Sequence, residues 1–223
     1  ELSLWRVNMK PGKPVAIGGT LGRREATGRG VVYMIIEAAR YLGIDLSKCT
    51  AAVQGFGNVG SVAVKELANI GIKIIGVSDR TGGFVDTKGL PVDKLLEVAD
   101  KNHSLEGCPY GDRISNDEVL ELKCDILVPA ALEMQITEKN AARLQCRVLA
   151  EGANGPTTPE ADAILHDKGV FLIPDILANA GGVVVSYFEW VQDLQNFFWN
   201  EAEVSNKLRE ILVKAFQEVL AMS

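Results

Sequence analysis

Apolar positions along the chain fall into two patterns. Short runs rich in β-branched residues recur at Thr50–Gln54, Lys73–Ser78, Asp125–Pro129, Arg147–Glu151 and Val170–Pro174. Runs this short and this continuously apolar predict parallel strands buried on both faces. Between them the spacing changes to that of helices. From Arg23 to Leu42 the residues Val31, Ile35, Ala38, Ala39 and Leu42 share a face, and Gly43 supplies a stop. Ser61 to Asn69 is helix-like, and Pro91 opens a helix running to about Asp100. Ser115-Asn116-Asp117-Glu118 forms a capping box, and Thr158-Pro159-Glu160 places a cap, a first-position proline and an acid at another start. Asn102 to Asp112 reads as a polar loop containing Gly107, Pro109 and Gly111. This alternation predicts an α/β fold, an open and mostly parallel sheet with helices on both faces.

The two ends of the chain differ from its middle. The first 22 residues are irregular and rich in Gly and Pro, ending in Gly18-Gly19-Thr20-Leu21-Gly22. Near the other end, Gly181-Gly182 and Val183-Val184-Val185 are followed by Tyr187, Phe188, Trp190, Phe197, Phe198 and Trp199, aromatics expected to serve core or helix–helix packing. Glu201 to Met222 is amphipathic, with Val204, Leu208, Ile211, Leu212, Ala215, Phe216 and Val219 in one stripe. The expected organisation is one domain over 1–195 and a truncated C-terminal amphipathic helix over 196–223.

The chemistry concentrates where the first apolar run ends. Gly55-Phe56-Gly57-Asn58-Val59-Gly60 is a complete Gly-x-Gly-x-x-Gly directly after a strand and before a helix. The next strand ends at Asp79, 19 positions beyond Gly60, close to the offset of about 20 expected for an acid that reads a ribose. The first glycine permits the tight turn, the second lets a pyrophosphate approach the backbone, and the third lets helix pack on strand. The helix start offers free N–H groups and the positive end of its dipole to the phosphates. The sheet is accordingly expected to be Rossmann-like, and the 1–195 domain to be dinucleotide-binding.

Bulk properties exclude several classes. With 47% hydrophobic and 23% charged residues and a net charge of −6, nothing favours nucleic acid or an anionic membrane. No apolar stretch is long enough to span a bilayer, and the first six residues lack the pattern of a signal peptide. Cys49, Cys108, Cys124 and Cys146 are scattered without a Cys-x-x-Cys pair, which reads as reduced thiols of a cytoplasmic protein rather than a disulfide frame. His103 and His166 stand alone, so no metal site is expected.

Four stretches together carry a family resemblance. They are Gly12-Lys13-Pro14 with Gly18 to Arg23 and Ala26-Thr27-Gly28-Arg29-Gly30-Val31; Gln54 to Gly60; Pro129-Ala130-Ala131 with Glu151-Gly152-Ala153-Asn154-Gly155-Pro156-Thr157; and Ala178 to Trp190. From about residue 11 onward the chain resembles the coenzyme-binding domain of the glutamate dehydrogenases. Leucine, valine and phenylalanine dehydrogenases share the architecture and resemble it less. The resemblance implies reversible deamination of L-glutamate to 2-oxoglutarate and ammonium, with hydride passing to NAD, or to NADP. It also implies a homohexameric full-length protein. The family's catalytic lysines and aspartate belong to a separate N-terminal domain, and their glycine-rich lysine motif is missing here. No catalytic residue is therefore expected in this chain, and the chain alone is expected to be inactive. A regulatory module that binds NAD without turnover is the alternative from another class.

The resemblance assigns roles residue by residue. Gly55, Phe56, Gly57, Asn58, Val59 and Gly60 line the pyrophosphate. Asp79 faces the adenosine ribose, while Arg80 beside it offers a partner to a 2′-phosphate. Thr27 holds the nicotinamide carboxamide, Ala130 and Ala131 let the cofactor ribose lie close, and Asn154 and Asn179 reach the nicotinamide ribose and carboxamide. Val183 and Ser186 shape the pocket for the substrate's side-chain carboxylate. Arg23 and Arg29 read as solvent or inter-domain contacts.

Overall fold

The computed structural model describes residues 11–222; the opening residues, where a signal peptide was sought, lie outside this range. Among the described residues seven strands form one sheet: β1 Thr50–Gln54, β2 Lys73–Asp79, β3 Gly82–Val85, β4 Asp112–Ile114, β5 Ile126–Pro129, β6 Val148–Ala150 and β7 Phe171–Ile173. Their spatial order is β4-β3-β2-β1-β5-β6-β7. The five strands expected from the apolar runs are the parallel ones. The sequence reading missed β3 and β4, which pair antiparallel at one edge. β4 begins at Asp112, the last residue of the stretch read as a loop. Both are short, and β4 exposes Asp112 and Arg113, so no apolar run marks it. What creates β3 is a two-residue hairpin, Arg80-Thr81, that turns β2 back on itself so that Asp79 pairs with Gly82.

The α-helices of the described residues are α1 Ala26–Leu42, α2 Asn58–Asn69, α3 Val92–Asn102, α4 Asn116–Leu120, α5 Pro159–Asp167, α6 Asp175–Ala178, α7 Gly181–Gln195 and α8 Glu201–Met222. The caps read from sequence are in place. Ser115 and Glu118 make both bonds of the capping box, and Thr158 Oγ1 accepts from Ala161 N. Gly43 takes the left-handed conformation that closes α1. Strand side chains alternate between two buried layers: Ala51, Val53 and Val128 face α1, α2, α7 and α8, whereas Ala52, Leu127 and Leu149 face α4 and α5.

Helix α1 lies at the centre of the thicker layer, burying Val31, Val32, Met34, Ile35, Ala38 and Ala39. Two neighbours approach it backbone to backbone. A Cβ at Gly28 would come within 2.7 Å of Val62 Cβ on α2, and one at Gly30 within 3.2 Å of Gly181 Cα on α7. Helix α8 packs its Val204, Leu208, Leu212 and Phe216 into the same cluster. Ile211 and Val219, expected in that stripe, are exposed at its margins. The aromatic run also divides: Phe188 is buried and stacks edge-on with Trp199 at 5.4 Å, but Tyr187, Trp190, Phe197 and Phe198 are exposed. The helix buries the face carrying Val185, Phe188, Glu189 and Gln192, which leaves Tyr187 and Trp190 outside.

The Gly- and Pro-rich segment before α1 is held by polar side chains instead of regular structure. Glu189, 1% exposed, accepts from Gly12 N and Thr20 N through one oxygen and from Lys13 N through the other. Lys13 Nζ pairs with Asp193 one turn further on, and Gln192 Nε2 donates to Thr20 Oγ1 at 2.9 Å. A buried carboxylate that accepts several N–H groups and faces a cation has its desolvation offset. Among the described residues all four cysteines are free thiols, and no helix is long and apolar enough to cross a membrane.

The close crossing of α1 and α7 is testable. A Cβ at Gly181 would fall inside the van der Waals shell of Ala26 O. Gly181→Ala is expected to lower unfolding free energy by about 1–3 kcal/mol, the range for overpacking a tight interior, read from the urea midpoint. An unchanged midpoint would show that the crossing can widen freely.

Candidate functional site

The crevice at the C-terminal ends of the parallel strands opens where the chain reverses its direction of travel across the sheet. From β1 the chain builds outward through β2, β3 and β4, then returns to β5 on the other side of β1. Gln54 is level with Ser78 on one side and Pro129 on the other, so β1, β2 and β5 deliver their following loops to one edge. Such a switch point is where open α/β sheets take ligands.

Gly55 makes the turn with φ +96°, and a Cβ there would lie 2.7 Å from the carbonyl carbon of Ala130. Ala130 N donates to Gln54 O at 2.7 Å and Gly55 N to Ser78 O at 2.9 Å, so both sides of the crevice are laced to the turn. Gly60 is packed against the turn itself, because a side chain there would strike Gly55 O. Gly57 is different: it caps α2 with nothing within 4 Å of its Cβ position. The first bond of α2 runs from Ser61 N to Gly57 O, leaving the N–H groups of Asn58, Val59 and Gly60 ahead of any intrahelical acceptor. Open space above Gly57 thus meets the positive end of a helix.

Two hollows adjoin at Ala130, Ala131 and Leu132. The first, of about 810 Å³, contains Gly55, Phe56, Gly57, Asn58, Asp79 and Arg80. The second, of about 550 Å³, contains Thr27, Val59, Asn154, Asn179 and Val183. The residues expected to contact the two halves of a dinucleotide are therefore brought together in two connected spaces, with Gly60 beneath the turn and Ser186 behind the second hollow. Small residues keep the join narrow, since a Cβ at Gly152 would lie 3.0 Å from Ala130 Cβ.

Three side chains have partners that the sequence did not announce. Asp79 Oδ1 accepts from Thr81 N at 2.7 Å and Thr81 Oγ1 at 2.6 Å, while its Oδ2 accepts from Leu105 N at 2.5 Å. A carboxylate offers about four acceptor positions, so one remains for a ligand. Ser186 Oγ donates to Gly182 O and accepts from Arg23 Nε, both at 2.8 Å. Its one hydrogen is used within its own helix, and the group it presents to the second hollow is the Arg23 guanidinium. Arg23, read from sequence as a solvent or inter-domain contact, lines that hollow next to Thr27 and Val183. Gly182 makes room for both, as a Cβ there would sit 2.5 Å from Thr27 Oγ1 and 3.6 Å from an Arg23 nitrogen.

Gln54, missed by sequence reasoning, also belongs to the site. It is 1% exposed, lines the first hollow and donates from Nε2 to Gln135 Oε1 at 3.0 Å, while its own Oε1 has no protein partner. A buried acceptor left open at a cavity floor suits a hydroxyl or amino donor from a ligand. Its position directly before the first glycine was the only sequence signal. Behind the second hollow, Glu151 is buried at the end of β6. Burial pushes its carboxyl above the usual range, with Asp175 and Asp162 adding to the rise and hydrogen bonds opposing it. Among the described residues no cluster of three or more His, Cys, Asp or Glu side chains could hold a metal.

The chain is similar to known proteins. Residues 18–223 match the family described as Glutamate/Leucine/Phenylalanine/Valine dehydrogenase. A protein of Thermotoga maritima named glutamate dehydrogenase is 52% identical over 210 residues, which cover 94% of this chain and 50% of that protein. The cryptic catabolic NAD-specific glutamate dehydrogenase GudB of Bacillus subtilis is 49% identical, over 95% of this chain and 49% of its own length. Among solved structures, a hetero-hexameric glutamate dehydrogenase of Thermus thermophilus in its Leu-bound form superposes with a TM-score of 0.89 at 34% identity, over 95% of this chain and 50% of that one. The chain thus spans about half the length of the relatives it matches. With the family model matched over residues 18–223, the chain belongs to the glutamate/leucine/phenylalanine/valine dehydrogenase family.

Proposed function

We propose that the chain is the coenzyme-binding half of an NAD-dependent glutamate dehydrogenase. The observation that carries this reading is the pair of connected hollows at the switch point. One is built on the open glycine turn, and the other is lined by Thr27, Asn154 and Asn179. The residues present fit a dinucleotide. Gly57 leaves space for a pyrophosphate, the start of α2 supplies N–H donors, and Gln54 Oε1 awaits a donor such as a hydroxyl. When bound, the nicotinamide would accept hydride from the α-carbon of the amino acid.

Preference for NAD is supported by Asp79. Its negative carboxylate at the end of β2 keeps one acceptor position and repels a 2′-phosphate. Two relatives named NAD-specific, from Bacillus subtilis and Staphylococcus aureus, are 49% and 47% identical. Arg23 supports a substrate carboxylate. Its guanidinium is fixed by Ser186 beside Val183, and a fixed guanidinium suits a planar anion. The substrate is proposed to be L-glutamate. We place the remaining groups that bind it, and those that deprotonate it, in an N-terminal domain outside this chain, so the chain alone turns nothing over. We further propose a division into a coenzyme unit over 1–195 and a C-terminal segment over 196–223 that carries α8, and a homohexameric full-length enzyme.

The test is a fluorescence titration of the purified chain with NADH and NADPH in parallel. Saturable binding of NADH, with NADPH weaker by at least about tenfold, is expected; tenfold corresponds to about 1.4 kcal/mol. Absence of NADH binding would overturn the reading. Gly57→Val supplies a second prediction. Its side chain enters space that is open in the protein, so the urea midpoint should stay put while NADH binding is lost. A loss of stability equal to that of Gly181→Ala would instead make Gly57 a structural glycine.

A further inference from the structure

The loop after β6 and the start of α6 are tied by a chain of hydrogen bonds that ends on two asparagines. Glu151 Oε2 accepts from Asp175 N at 2.9 Å. Asp175 Oδ2 accepts from Gly155 N at 2.8 Å, and the Asp175 carbonyl accepts from Asn179 N at 2.9 Å. One residue therefore holds the loop that carries Asn154 through its side chain and Asn179 through its backbone.

The orientation of the asparagine pair follows from a backbone group. Ala153 O can only accept, so the Asn179 atom 3.3 Å from it is Nδ2. The same nitrogen donates to Asn154 Oδ1 at 2.7 Å. With that oxygen and both Nδ2 hydrogens of Asn179 engaged, the pair presents Asn154 Nδ2 as donor and Asn179 Oδ1 as acceptor, and both residues line the second hollow. A donor and an acceptor side by side complement a primary carboxamide or neighbouring ribose hydroxyls.

We propose that Asp175 and Glu151 are positioning residues for the nicotinamide half of the coenzyme, acting by holding Asn154 and Asn179 as an oriented donor–acceptor pair. This rests on the coenzyme reading above. Neither acid lines the hollow, so each acts through the asparagines. Glu151 fixes Asp175 from beneath, and Asp175 fixes both loops. Without the Gly155 tie the 152–157 loop is free to turn Asn154 away, and ordering it on binding then opposes affinity.

The experiment compares NADH with ADP-ribose, which has the adenosine and pyrophosphate but no nicotinamide, on the 223-residue chain. In Asp175→Ala, NADH affinity is expected to fall about tenfold, the scale of one or two lost hydrogen bonds. The enhancement of nicotinamide fluorescence should fall with it, while ADP-ribose affinity stays within about twofold. Asp175→Asn keeps an acceptor oxygen at the same reach and should recover most of the NADH affinity. A parallel fall in both ligands, or no fall in either, would overturn the positioning role. Should Asp175→Ala fail to fold by circular dichroism, Asp175→Ser makes the same comparison with a side chain too short to reach Gly155. Failure of the unmodified chain to bind either ligand would overturn the coenzyme reading itself, and this proposal with it.

Discussion

The backbone-to-backbone approach of helix α1 to α2 and α7 is the constraint on which the rest of the molecule depends. Gly28 faces Val62 and Val59 O across one crossing, and Gly30 faces Gly181 across the other. Side chains at either place would push the helices apart in a layer that is otherwise close-packed. Because α2 begins at the glycine turn and α7 begins beside Asn179, these two crossings set the spacing between the two halves of the crevice. Thr27, one residue before Gly28, is delivered to the second hollow by the same geometry.

Where the chain is irregular, carboxylates replace the backbone ladders. Glu189 gathers the N–H groups of Gly12, Lys13 and Thr20, and Asp175 gathers Gly155 N. Asp79 does the same with Thr81 and Leu105. In each case an acid occupies the position that a strand or helix neighbour would fill, because a buried N–H without an acceptor is costly. Asp175 and Asp79 thereby set the shape of loops around the crevice, and Glu189 that of the segment before α1. Asp79 combines this duty with its place in the lining of the first hollow, where three of its acceptor positions are already taken by the protein.

The interplay of Arg23 and Ser186 shows how a role can pass between neighbours in space. Sequence places the serine in a family position for a substrate carboxylate and gives the arginine no distinguishing context. In the folded chain the serine is a fixed acceptor and the arginine is the cation it holds. Only the crossing of α1 over α7, opened by Gly182, puts the two within reach.

Much of the fold was therefore legible in the chain. Five continuous apolar runs specify the parallel strands, because burial on both faces leaves no alternation to confuse. The helix starts at Ser115 and Thr158 are local chemistry that needs no partner. The glycine turn with Asp79 at its proper distance fixes the chemical character of the crevice for the same reason: turn, helix and strand are contiguous. The antiparallel edge was not legible, since β3 and β4 are short and β4 is polar, and their pairing follows from a hairpin that only the sheet rewards. Nor were the exposed aromatics of α7, Gln54, or the partners of Asp79 and Ser186, which depend on residues as far apart as Arg23 and Ser186. What sequence by itself determined was the parallel strands, the helix starts and the class of chemistry at the glycine turn. Tertiary structure decided which face is buried and which polar atoms remain free for a ligand, because both are settled by contacts between distant segments.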